Sequence, residues 1–543
     1  TRGKSMIKDG KIKAGASGGN DICLLPEMSC RHGLITGATG TGKTVTLKVL
    51  AEGFSQLGVP VFLADVKGDI SSLAAPGKMN DKISSRLETI GENPDAFDLR
   101  SFPVRFWDVM EKAGIPVRAT VSDMGPVLLG RLMNLSDAQQ GVLNALFMVS
   151  DDLGWELLDF KDLKAMIQFL QDNRQELSSQ YGNLSSASVN SLLRAVLELE
   201  SQQAEIFFGE PDLDILDWME TDEAGLGRIN ILSCKELIQY PKLYAAFLLW
   251  MLSELNEQLE EAGDLDKPKI VLFFDEAHLM FKDMPKTLLQ KIEQTVKLIR
   301  SKGVGVFFIS QSPSDLPDEV LAQLQNRVQH ALHGYTPKDQ KAIKAAAQSY
   351  RPNPAFDTAA AIQELGSGEA LVSFLDENGA PSMVERTVIA PPQSSFDALS
   401  SAQIQSFCAL DPLFAEYREM IDNESAYEKM MAAKQQAALQ EQEALEAEEA
   451  PVQRKSSSPT GTRRKTAGSS SVQPTATRKA KSTESVMEKT LKKAAKSATR
   501  TIGRDVGKKA VRGILGNSKS TASRAAANFA GNIAADLFGS IFK

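Results

Sequence analysis

The residues Gly37-Ala38-Thr39-Gly40-Thr41-Gly42-Lys43-Thr44 satisfy the spacing G-x-x-x-x-G-K-[ST]. Glycines at those positions let backbone N–H groups wrap around phosphate oxygens, and the start of a helix adds a partial positive charge. An ammonium at Lys43 can reach β- and γ-phosphates, and the hydroxyl of Thr44 can ligate Mg²⁺. Val45 continues the nucleotide-contacting stretch into the helix.

A second constellation, Ile270-Val-Leu-Phe-Phe274-Asp275-Glu276-Ala-His278, ends a run of five apolar residues on two carboxylates. In open α/β sheets ligands sit beyond the carboxyl ends of strands, so this placement suits a metal carboxylate and a base. Asp275 is expected to hold Mg²⁺ through water, and Glu276 to polarise an attacking water. Gln311, directly after Phe308-Ile309-Ser310, is expected to touch the γ-phosphate or that water. The charge that develops in phosphoryl transfer also calls for an arginine, often donated by a neighbouring subunit. Arg327, Arg300 and Arg105 are the candidates, in that order.

These groups need a scaffold. Residues up to about Pro392 alternate apolar runs with helical periodicity, the rhythm of an α/β domain. Strands are predicted at residues 33–36, 61–64, 104–107, 228–232, 270–274 and 304–309, with a helix over 43–57. The runs are unbroken rather than alternating, which indicates a mainly parallel sheet covered on both faces. Between residues 122 and 211 apolar positions recur only at helical spacing, which predicts an all-helical insertion. Residues 371–375 and 384–389 flank Glu377-Asn-Gly379 and predict a hairpin. The predicted organisation is a core over 1–392, a helical extension over 393–450, a disordered basic linker over 451–485 and basic amphipathic helices over 486–543.

Taken together, Gly37 to Thr44, Asp65-Val-Lys-Gly-Asp69, Phe274-Asp-Glu-Ala-His278 and Gly303-Val-Gly-Val-Phe-Phe-Ile-Ser-Gln311 resemble the HerA/FtsK group of motor ATPases. The nearest likeness is to bacterial proteins with a HerA-like helicase C-terminal domain, the YjgR type. Gly114-Ile-Pro-Val-Arg118, Asn326-Arg327-Val328 and Gly366-Ser-Gly-Glu-Ala-Leu-Val-Ser373 add to it. The resemblance implies a RecA-like P-loop core, hydrolysis of ATP with Mg²⁺, and a homo-hexameric ring with active sites between subunits. The Asp-Glu pair of the family matches Asp275 and Glu276, and its sensor matches Gln311. HerA itself carries an amino-terminal β-barrel, for which the segment ahead of Gly37 is too short, so its nuclease partnership is not carried over.

Composition bounds the alternatives. The 543 residues carry a net charge of −8, but the stretch from Pro451 onward holds 20 Lys and Arg against 4 Asp and Glu, leaving the remainder near −24. The tail is expected to meet an anionic surface, with DNA preferred over lipid, or merely to solubilise the chain. Four scattered cysteines with no C-x-x-C pair point to a reducing cytoplasm. His330 and His333 lack an acid or thiolate to complete a metal set. No apolar run is long enough to span a membrane, and Thr1 to Met6 reads as no secretory signal. A two-lobed helicase of the Asp-Glu-Ala-His type would need a second lobe that the chain lacks. DNA translocation and ATP-driven protein remodelling or membrane-associated assembly both stay open.

Overall fold

The computed structural model describes residues 6–281 and 286–449. The linker and the amphipathic helices expected beyond residue 450 lie outside the described residues. Two units are distinguished, Thr1–Ala426 and Tyr427–Lys543. The second is described only through one long helix.

Among the described residues thirteen strands form a single sheet. In chain order they are β1 (Ile7–Lys8), β2 (Lys11–Ser17), β3 (Asn20–Leu24), β4 (Gly33–Thr36), β5 (Val61–Asp65), β6 (Val104–Asp108), β7 (Ile115–Pro116), β8 (Ile229–Ser233), β9 (Ile270–Phe274), β10 (Val304–Ser310), β11 (Asn326–Gln329), β12 (Glu369–Ser373) and β13 (Glu385–Ile389). The spatial order is β1-β2-β13-β12-β11-β4-β10-β9-β5-β8-β6-β7, with β3 on β2. From β11 to β7 every neighbour pair is parallel. The flank from β12 to β1 and β3 is antiparallel.

The helices are α1 (Lys43–Gln56), α2 (Asp81–Thr89), α3 (Val121–Leu132), α4 (Asp137–Leu153), α5 (Phe160–Asp172), α6 (Arg174–Tyr181), α7 (Ser186–Glu200), α8 (Pro241–Gln258), α9 (His278–Phe281), α10 (Lys286–Ile299), α11 (Asp318–Leu321), α12 (Pro337–Gln348), α13 (Thr358–Glu364), α14 (Ser401–Leu410), α15 (Pro412–Tyr417) and α16 (Ala426–Glu449). α1 and α8 explain why β9 reads Ile-Val-Leu-Phe-Phe. Successive side chains point to opposite faces, so both must be apolar. Phe273 meets Phe54 of α1 and Phe307, while Phe274 meets Phe62 and Phe308, and Phe62 in turn meets Phe247 of α8.

α3 to α7 form a helical block whose entering and leaving chain segments are joined by Ala119 N–H to Phe207 O (2.9 Å) and Gly209 N–H to Ala119 O (3.0 Å). Thr120 with Asp123 and Asp159 with Asp162 make capping boxes that start α3 and α5. β12 and β13 pair antiparallel, and Gly379 at φ +74° turns the connection.

In three places the structure departs from the sequence reading. Ahead of Gly33 to Thr36, where no strand is predicted, lie β1 to β3. β2 reads Lys-Ile-Lys-Ala-Gly-Ala-Ser, with little β-propensity and a lysine facing inward. That lysine, Lys13, is fully buried and held by Glu92 (2.6 Å), Asp21 (2.6 Å) and Ile90 O (3.0 Å). β11 was also invisible, since Asn326 and Gln329 are polar yet buried. Asn326 Nδ2 donates to Met28 O and His32 O, and Thr36 donates to Gln329 Oε1. Finally, the segment after Ile389 opens as an extended strap, not a helix. Glu52 of α1 accepts from Gln393 N–H (2.7 Å) and Ser394 N–H (3.1 Å), and Lys48 donates to Ser395 O.

His32 shows how buried polar groups set acid sensitivity. Its Nε2–H donates to Val296 O (2.8 Å) and its Nδ1 accepts from Val306 N–H (3.1 Å), so the ring is neutral. Burial, the largest cause, pulls its pKa down to about 4. Between that value and the usual 6.5, the unfolded chain binds the proton more readily, so its contribution is complete above pH 6.5 and is lost on acidification. Buried carboxyls such as Asp65 and Asp275 are raised and act in the opposite sense, so the comparison must be a difference. The destabilisation caused by His32→Gln is expected to shrink by ~3 kcal/mol as pH falls through that window. Urea midpoints of the two proteins across the window measure it, and a difference independent of pH would refute it.

Candidate nucleotide-binding site

The phosphate-binding candidate lies between β4 and α1, at the carboxyl edge of the parallel strands. Gly42 sits at φ +118°, a conformation that favours glycine, and a Cβ there would come within 3.2 Å of Gly368 Cα. At Gly37 a Cβ would lie 2.5 Å from His330 Cβ. Both glycines are therefore required by close approach as well as by the turn.

The loop is buttressed from β11, β12 and the turn ahead of β12. Ala38 N–H donates to Ala331 O (2.8 Å), Gly368 N–H to Thr41 O (2.9 Å), and Ser367 Oγ to Gly40 O (3.4 Å). His330 Nδ1–H donates to Glu369 O (2.9 Å), and its Nε2 accepts from the Thr46 hydroxyl (2.8 Å). Both ring nitrogens are thus committed. Burial, the largest cause, holds its pKa down to about 4, so the ring stays neutral beneath the loop. Arg86 of α2 clamps the same turn through Gly368 O (2.9 Å) and Ser367 O (3.1 Å).

Lys43 is buried, and its Nζ donates to Gly37 O (2.6 Å) and Ala38 O (3.1 Å). Burial lowers the pKa of this ammonium, and the charge of Glu276 partly offsets that. Thr44 and Val45, in the first turn of α1, are half-buried.

Asp275 and Glu276 leave β9 between β5 and β10. Asp275 N–H donates to Ala64 O (3.3 Å), and Ala277 N–H to Ile309 O (2.8 Å), which pins the segment to both neighbours. Glu276 adopts φ +48°, a region non-glycine residues rarely occupy. Three carboxylate oxygens in this corner are buried without a hydrogen-bond partner: Asp275 Oδ2, Glu276 Oε2 and Asp69 Oδ1. Burial pushes the pKa of Asp275 up to about 6 and that of Asp65 to about 7. Burial acts on Glu276 in the same direction, but the Lys67 hydrogen bond and charge outweigh it and leave this carboxyl below its usual range. Such uncompensated oxygens beside a glycine cradle fit a cation and a phosphate chain, because a buried acceptor without a partner is costly on its own. Among the described residues no group of three His, Cys, Asp or Glu side chains forms a metal cluster. A metal ion here would therefore depend on phosphate and water for most of its ligands.

Gln311 follows β10 and is exposed. Ser310 pairs with Thr36, so Gln311 emerges beside the start of the P-loop. The arginines diverge. Arg105, on β6, is spent on Asp411 (2.8 Å) and Glu220 (3.1 Å) with its side chain 3% exposed, which removes it as a donor to phosphate. Arg327 gives Nε–H to Leu324 O (2.9 Å) and Nη2–H to Leu321 O (3.1 Å), closing the end of α11. Arg300 is exposed at the amino end of β10.

Sequence reasoning assigned no role to Lys67, Arg86 or His330. Lys67 was detectable, since Asp65-Val-Lys-Gly-Asp69 follows a buried strand directly. The other two depend on contacts across some 280 residues of chain.

Residues 11–524 match the family model described as helicase HerA-like, C-terminal. The chain is 23% identical over 372 residues to the DNA double-strand break repair helicase HerA of Saccharolobus solfataricus, across 67% of this chain and 66% of that one. It is 23% identical over 376 residues to the protein of the same description from Sulfolobus acidocaldarius, across 68% of each. The chain thus spans about two thirds of the length of these relatives. Among solved structures, the bacterial conjugative coupling protein TrwBdeltaN70 superposes with a TM-score of 0.49 at 17% identity, covering 72% of this chain and 92% of that one.

Proposed function

We propose, since the chain belongs to the helicase HerA-like C-terminal family of P-loop ATPases, that its hydrolysis of ATP with Mg²⁺ drives a ring-shaped homo-hexameric motor along DNA. The observation that carries the nucleotide reading is the set of unpartnered buried carboxylate oxygens, two of them on residues whose charges act on Lys43 of a glycine cradle. Lys43 exchanges the Gly37 and Ala38 carbonyls for β/γ-phosphate oxygens. Thr44 and, through water, Asp275 would hold Mg²⁺, which when bound neutralises phosphate charge. Glu276 polarises the attacking water, and Gln311 reads whether the γ-phosphate is present. Arg327 reaches a neighbouring subunit only by giving up its two carbonyls at the end of α11.

DNA is the favoured polymer because the relatives above are described as DNA repair helicases. No helix among the described residues is long and apolar enough to cross a membrane, and we place the motor in the cytoplasm with its ATP and DNA. The acidic charge outside the tail favours the second reading, a protein remodeller. The two separate on one assay. ATPase activity of the full chain is expected to require Mg²⁺, to rise with duplex DNA at ~50 mM salt and to lose that stimulation towards ~200 mM. ATPase activity indifferent to DNA at low salt would favour the protein substrate. Negative-stain images with ATP should show rings, and monomers throughout would remove the inter-subunit site.

A further inference from the structure

Lys67 leaves the carboxyl end of β5 in a turn that is closely specified. Asp65 Oδ1 accepts from Lys67 N–H (3.1 Å) and Gly68 N–H (2.6 Å), and Ser71 Oγ donates to Gly68 O (2.9 Å). Gly68 is at φ +83°, and a Cβ on it would lie 2.5 Å from Lys235 Cε. The turn delivers Lys67 Nζ to Glu276 Oε1 at 2.5 Å.

The two partners are unequally buried. The Lys67 side chain is 40% exposed and that of Glu276 only 7%. An ion pair with a half-exposed partner adds little to stability, so a stabilising role does not account for a turn built this closely. The other carboxylate oxygen, Oε2, is buried without a hydrogen bond and has His278 Nδ1 3.4 Å away. The backbone beneath it is held at φ +48° by the neighbouring strands. One oxygen is clamped, and one is left uncommitted.

We propose that Lys67 is the positioning residue of Glu276: its ammonium fixes Oε1 so that Oε2 is aimed at the attacking water. The assignment rests on the reading of Glu276 as the group that polarises water. Lys67 itself touches neither nucleotide nor water in this scheme. It acts by restricting the carboxylate to one orientation, and misplacing a catalytic group by about an ångström can cost on the order of 10²-fold in rate.

The test compares ATPase kinetics of the full chain with those of Lys67→Ala, Lys67→Arg, Glu276→Gln and the Glu276→Gln/Lys67→Ala double variant. Lys67→Ala is expected to lower kcat by on the order of 10–100-fold with KM for ATP little changed. Lys67→Arg, which keeps a cation in reach of Oε1, should recover most of that loss. The double variant should be no slower than Glu276→Gln alone, because a residue acting through Glu276 has nothing left to position. Lys67→Met, which keeps the aliphatic stem, gives the same readings should the alanine variant fail to fold. Parental kcat in Lys67→Ala, with Glu276→Gln inactive, overturns the positioning role and leaves the functional reading standing. A faster Lys67→Ala also overturns it, since the ammonium would then restrain the carboxylate rather than aim it. An active Glu276→Gln overturns the functional reading and this assignment together.

Discussion

Lys43→Ala is expected to leave a folded protein without measurable ATPase activity. The ammonium is seated in the glycine cradle, where it donates to two carbonyls of that same loop, Gly37 and Ala38. On the proposed reading, removing it takes away the point charge that offsets the β/γ-phosphates in the bound nucleotide and, more strongly, the charge that develops in the transition state. A preorganised charge of this kind is worth about 10²–10³-fold in rate, and nucleotide affinity falls with it. Folding should be spared, because burial disfavours this ammonium and alanine places no charge in its stead. ATPase assays, nucleotide titration calorimetry and a thermal melt on one preparation decide the matter. Full turnover in a well-folded Lys43→Ala protein would exclude the site.

Glu276→Gln should separate binding from chemistry. The amide matches the carboxylate in shape, so the cradle and Asp275 are undisturbed and ATP should bind nearly as in the parent. An amide cannot act as a base towards water, and loss of a general base typically costs about 10²–10⁴-fold. The substitution also breaks the ion pair with Lys67, at little cost because that side chain is 40% exposed. Single-turnover hydrolysis alongside equilibrium ATP binding gives both readings. Failure to bind ATP would move Glu276 into the metal shell, and hydrolysis at the parental rate would remove it from the chemistry.

What the sequence determined by itself was the candidate site held in contiguous stretches. A P-loop recognises phosphate with consecutive backbone N–H groups, so its glycines, Lys43 and Thr44 must be neighbours in the chain. The Asp275-Glu276 pair was legible for a related reason: a strand covered on both faces must read as unbroken apolar residues, and its carboxyl end marks where ligands bind. Six of the parallel strands, β4, β5, β6, β8, β9 and β10, and the helical block could be read from the same periodicities.

Tertiary structure decided everything that depends on a polar group finding a distant partner. Lys13 and Glu92, Thr46 and His330, Arg86 and Gly368, Arg105 and Asp411 are each far apart in sequence, and none carries a local signal. β2 and β11 were hidden for that reason, because their inward polar residues look like surface until their partners are known. The same holds for Arg105, which looked available as a phosphate donor and is neutralised by two carboxylates. Burying a charge or an amide is unfavourable unless the fold supplies its complement. The complement of a buried polar group is a property of the assembled sheet, whereas the glycine turn and the apolar strand are properties of the local chain.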